Sequence, residues 1–105
     1  MVLQNTTFVI DEKIEKEFLH WIKTELAPAA RGSEVYGDEP RFHLILANAE
    51  PGTKNFAFQL SSDNLDKAQE WLCEGEGSRL LAEFMRRFEG HAAHFSTFMA
   101  EIAIE

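Results

Sequence analysis

The chain has 105 residues and a formal net charge of -8, with 10 Lys and Arg set against 18 Asp and Glu. That length suits a single domain over residues 1–105, burying on the order of 65% of its extended surface, and 45% hydrophobic with 27% charged residues is the balance of a globular chain. The cations are dispersed among acids rather than gathered into a stripe, which argues against nucleic acid and anionic membranes as partners.

No apolar run approaches the roughly 20 residues of a membrane span. The start MVLQNTTFVIDE has neither the basic end nor the apolar centre of a signal peptide. The one cysteine, Cys73, can form no disulfide within the chain, so the expected location is the cytoplasm. Its neighbours Glu70 and Glu74 would raise a thiol pKa rather than activate a nucleophile.

In chain order, Val2 to Ile10 is rich in Val, Thr, Phe and Ile and predicts a strand with Thr6, Phe8 and Ile10 on one face and Asn5, Thr7 and Val9 on the other. Asp11 fits the N-cap of a following helix. Ile14, Phe18, Trp21, Ile22 and Leu26 recur at helical spacing, and Pro28 predicts a stop near Leu26 or Ala27. Residues 28–40 carry two Pro and two Gly and no clear period, so they read as a loop, with Tyr36 and Arg31 as its gripping residues.

Arg41 to Asn48 and Asn55 to Ser61 predict a hairpin around the Pro51-Gly52 pair. Asp63 is then expected to cap a helix carrying Leu65, Ala68 and Leu72. Gly75-Glu-Gly-Ser78 breaks it, with Ser78 as a fresh cap for Leu80, Leu81, Phe84, Met85 and Phe88. Gly90 supplies the stop, and Ala92 to Ile104 predicts a last strand of about 13 residues, longer than most. The order is βαββαβ, the ferredoxin-like α+β arrangement: a four-stranded antiparallel sheet with two helices on one face.

The helices should cover the more apolar parity of each strand: Thr6, Phe8 and Ile10, then Phe42, Leu44 and Leu46, then Phe56, Phe58 and Leu60, and in the last strand Phe95, Thr97, Met99 and Ala103. The remaining parity assembles Asn5, Thr7, His43, Gln59, His94 and Ser96 as a candidate ligand-binding set, beside an apolar row of Phe98, Ala100, Ile102 and Ile104. Such a row on an open sheet would be an interaction patch. A second copy of the chain packed sheet to sheet would cover it.

The histidines of Gly90-His-Ala-Ala-His94 would share a face only on a helix. In a strand, residues three apart face opposite ways, so no metal site is expected. His91 belongs to the turn and His94 to the strand. Asp63, Asp66 and Glu70 sit where a helix start favours acids and lack a calcium-loop glycine. No phosphate loop or nucleophile elbow occurs, and no cofactor is implied.

Further residues carry a family likeness: Asn5 and Thr7, Trp21-Ile-Lys-Thr-Glu25 with Pro28, Phe58-Gln59, Leu65, Arg79-Leu80, Ala82-Glu83, and Phe88 with Gly90. In that order they resemble a group of short bacterial proteins known as domain of unknown function 4286, within the dimeric α+β barrel proteins. The resemblance implies ferredoxin-like subunits paired through their sheets. Relatives often carry a His just before an Ile-Pro at the end of the first helix and another in the second helix. This chain has Leu26 and Phe84 there, so no role of those histidines is carried over.

Two functions from different classes fit. The first is a homodimeric binding or regulatory module with a small-molecule pocket between the sheets. The second resembles the cofactor-independent monooxygenases and isomerases of that barrel type, with His43 or His94 as general base and Asn5 and Gln59 as polarising donors.

Overall fold

The computed structural model describes residues 1–47 and 49–104. Strand β1 (Val2–Asp11) leads through a 3-10 turn (Glu12–Ile14) into helix α1 (Glu15–Trp21), a π-helical turn (Ile22–Leu26) and helix α2 (Ala27–Gly32). Then come β2 (Arg41–Leu44), β3 (Thr53–Ser62), α3 (Leu65–Cys73), α4 (Glu76–Arg87) and β4 (Ala92–Ala100). The sheet is antiparallel in the order β2-β3-β1-β4, so the expected βαββαβ fold is present.

An aromatic cluster holds the helices on the sheet. Phe8 is fully buried, with ring centroids 5.2 Å from Phe18, 5.0 Å from Phe84 and 6.1 Å from Trp21. These tilted and edge-on pairs suit the quadrupoles of the rings. Ile10, Phe56, Phe58 and Leu60 complete the covered face, on the parity expected for β1 and β3.

Several local expectations are corrected. The first helix does not stop before Pro28. The π-turn shifts the hydrogen-bond register and the helical path runs on through Pro28, near the start of α2. Asp11 makes no capping bond; its Oδ2 accepts from His91 Nδ1 at 2.8 Å. Asn64, not Asp63, caps α3, accepting from Lys67 N at 3.0 Å.

Helix α4 restarts at Gly75-Glu76 rather than Ser78. A Cβ on Gly77 would lie 2.7 Å from the Trp71 ring, so close helix contact rather than chain breaking explains this glycine. The hairpin turns at Gly52 with φ 84, and Thr53 N donates to Glu50 O, as a Pro-Gly turn requires. Strand β2 ends at Leu44, with Leu44 and Leu46 exposed rather than in the core. Asn48, in the expected strand, lies outside the described residues.

The largest correction concerns β4. Its register with β1 pairs Phe8 with His94, Thr6 with Ser96 and Gln4 with Phe98. Paired residues share a face, so His94, Ser96 and Phe98 face the helices, and Phe95 and Met99 lie on the open side, 58% and 43% exposed. The register is pinned at its start, where Asp11 N donates to His91 O. The choice of parity follows from size: Ala92, Ser96 and Ala100 fit at an edge that Phe84 and Phe88 already fill, where Phe95 and Met99 would overpack it. The strand ends at Ala100, and Ala103 lies beyond it.

Candidate functional site

The open sheet face is built row by row from strand pairing. One row crosses all four strands as Arg41, Gln59, Asn5 and Thr97. The next is His43, Ala57, Thr7 and Phe95. With strands about 4.8 Å apart, each row spans about 14 Å.

Of the expected ligand-binding set, the fold brings together Asn5, Thr7, His43 and Gln59. It separates them from His94 and Ser96 by the thickness of the sheet. Asn5 Nδ2 donates to Thr7 Oγ1 at 3.1 Å, while Asn5 Oδ1 and Asn55 Oδ1 are buried with no partner. Buried polar atoms are normally paired, so these two oxygens are exceptions on this face. Val9, Phe95, Leu3 and Met99 share the parity and supply apolar surface around the amides. At one end, Met1, Leu3, Ser61, Met99, Ala100 and Glu101 line an open groove of ≈ 290 Å³.

The sequence reading missed Arg41, Thr97, Phe95 and Met99. Arg41 was legible, since it stands two residues before His43 in one strand and so shares its face. The β4 residues were not, because both parities of that strand carry large apolar side chains.

Across the sheet, His94 packs with its ring 6.3 Å from Phe8 and 6.0 Å from Phe84. Its Nδ1 is buried without a partner, and burial holds its pKa below the usual histidine value. Ser96 and Thr6 share a hydroxyl hydrogen bond at 2.7 Å, a structural pairing. Phe98 packs against the core, so it does not belong to an outward row. Ala100 follows the same parity, and Ile102 and Ile104 are 81% and 99% exposed past the strand end.

The loop residues take structural parts. Tyr36 donates its hydroxyl to the buried Gln4 Oε1 at 2.7 Å and stands edge-on to Trp71; burial raises its pKa. Arg31 pairs with Glu39. Among the described residues, no group of three or more His, Cys, Asp or Glu is placed to hold a metal ion. None of the helices in the described residues is long and apolar enough to cross a membrane.

The domain of unknown function DUF4286 matches residues 1–102. The chain belongs to this family. No curated protein matches it in sequence. Among solved structures, this DUF4286 chain is similar to a candidate antibiotic biosynthesis monooxygenase from Deinococcus radiodurans, with TM-score 0.69 and 16% identity over 100% of this chain and 97% of that one. It is also similar to a monooxygenase of Streptomyces coelicolor in complex with the ligand nanaomycin D, with TM-score 0.60 and 8% identity over 99% and 91%.

A de novo designed protein matches as well, with TM-score 0.60 and 11% identity over 96% and 98%. The fold of this DUF4286 chain is thus the ferredoxin-like α+β arrangement that these proteins share. Its sharing with a designed chain shows how little chemistry the fold alone carries.

Proposed function

We propose that this protein is a cytoplasmic homodimeric binding or regulatory module, closed by packing the open sheet faces of two copies and holding a small molecule against Asn5, Thr7, His43 and Gln59. The observation that carries the reading is the character of that face: exposed Phe95 and Met99 beside two buried, unpartnered amide oxygens. Apolar side chains grouped on an open sheet favour a covering partner, and orphan acceptors favour a ligand or partner that brings donors. A two-fold contact between identical faces is the commonest way to cover such a surface.

The enzyme alternative, drawn by analogy with the monooxygenases that share the fold, has less support. Its proposed base His94 lies among Phe8 and Phe84, on the other side of the sheet from the donors Asn5 and Gln59. A base must reach the atom it deprotonates. His43 is the remaining candidate on the open face.

Sedimentation of the native chain and of Phe95→Lys tests the dimer, which should run as a dimer in the first case and a monomer in the second. A native monomer at micromolar concentration would overturn the reading. Asn5→Ala with His43→Ala separates the two functions: loss of dimerisation alone, with no metabolite retained by the native protein, sinks the enzyme.

A further inference from the structure

Resting on that dimer reading, we propose that the site between the sheets selects an apolar carboxylate, with Arg41 as the residue that reads the anion. The chain as a whole is strongly acidic, at a net charge of -8, yet the β2 edge of its open face carries a cation. Arg41 lies in one row with Gln59, Asn5 and Thr97, and His43 stands in the next.

The only acid sharing this parity within β1 is Asp11, three rows from Asn5 and therefore about 20 Å along the strand. It is occupied by His91. Glu101 follows β4 and lines the groove at the other end, two rows beyond Thr97 or about 13 Å along the strand. Arg41 makes no ion pair among the described residues, whereas Arg31 and Arg79 each have a carboxylate partner.

Closing two such faces on each other would draw the Arg41 guanidinium of each copy toward the shared space, while the nearest acid in the chain, Glu39, is held by Arg31. An uncompensated charge is costly there, and a carboxylate that accepts two parallel N–H bonds is the complement a guanidinium fits best. The Gln59 amide, the next residue in the row, can add a donor to the same anion. Phe95, Thr7 and Ala57 in the adjoining row, with Val9 beyond, offer a mostly apolar wall to the rest of the molecule. The ligand class that satisfies both parts is a monoanion with a flat or aliphatic apolar body. A simple inorganic anion would leave the apolar wall unused.

The test uses the full chain and two probes of matched shape, 2-naphthoate and the neutral 2-naphthamide, titrated by calorimetry and by amide shifts in NMR. The acid should bind about tenfold more tightly than the amide, the worth of one charge-assisted hydrogen bond, with the largest shifts at Asn5, Gln59 and Arg41. In Arg41→Gln that preference should disappear while sedimentation still gives a dimer.

Equal binding of the two probes by the native dimer overturns the proposal, as does a preference that survives in Arg41→Gln or a dimer that binds neither probe. Each of those results leaves the dimer standing. If Arg41→Gln instead breaks the dimer and the native chain shows no preference, Arg41 pairs with an acid of the second copy and the ligand assignment fails. A native monomer overturns the dimer reading and this inference together.

Discussion

The two faces of one sheet have been built to different rules. On the covered face, Phe8, Ile10, Phe56, Phe58 and Leu60 meet the helices, and most polar groups there are paired, Gln4 with Tyr36 and Thr6 with Ser96. On the open face the rows alternate amides and hydroxyls with isolated apolar side chains, Arg41 stands at the β2 edge, and Asn5 Oδ1 and Asn55 Oδ1 are left without partners. The covered face has already been completed by the chain's own helices. The open face has no such cover among the described residues.

The sharpest way to separate the faces is to remove one aromatic ring from each. Phe84→Ala takes a fully buried ring from the covered cluster and should cost about 3–5 kcal/mol in urea unfolding. Phe95→Ala, measured at concentrations where the chain is monomeric, should change stability by less than about 0.5 kcal/mol. Similar losses for both would mean that the faces do not differ as described.

Gly77→Ala pushes a methyl into the Trp71 ring and should destabilise by about 1–3 kcal/mol through the α3 and α4 contact, with dimerisation unchanged. Tyr36→Phe leaves the buried Gln4 Oε1 without its donor and should cost about 1–2 kcal/mol in the same assay. A neutral result would mean that the loop is not strapped to the sheet through this bond.

The smallest effect concerns His94. Burial lowers its folded pKa, so the unfolded chain takes up the proton more readily. Its contribution is fully present above the unfolded value of about 6.5 and is lost as pH falls through the lower folded value. His94→Leu should flatten that part of the stability profile.

How much could be read in advance differs from strand to strand. In β1 and β3 the aromatic and aliphatic residues fall on one parity, so Phe8, Ile10, Phe56, Phe58 and Leu60 could be assigned to the core and Asn5, Thr7 and Gln59 to the opposite face. The last strand offers Phe95 and Met99 on one parity and Phe98 on the other. With no winner by composition, a one-residue choice turned every side chain of β4 over. Helix caps were similarly close contests: Asp63 and Asn64 are adjacent and both suited to capping, and only the backbone path selects Asn64.

What the sequence determined by itself was the order of elements and the covered parity of the two central strands, because local periodicity and turn chemistry decide these without reference to distant residues. The register of β4, the passage of the first helix through Pro28 and the meeting of Arg41 with Asn5 and Gln59 were decided only in the tertiary structure. Each depends on groups far apart in the chain competing for the same space and the same hydrogen bonds, and no local pattern records which of them wins.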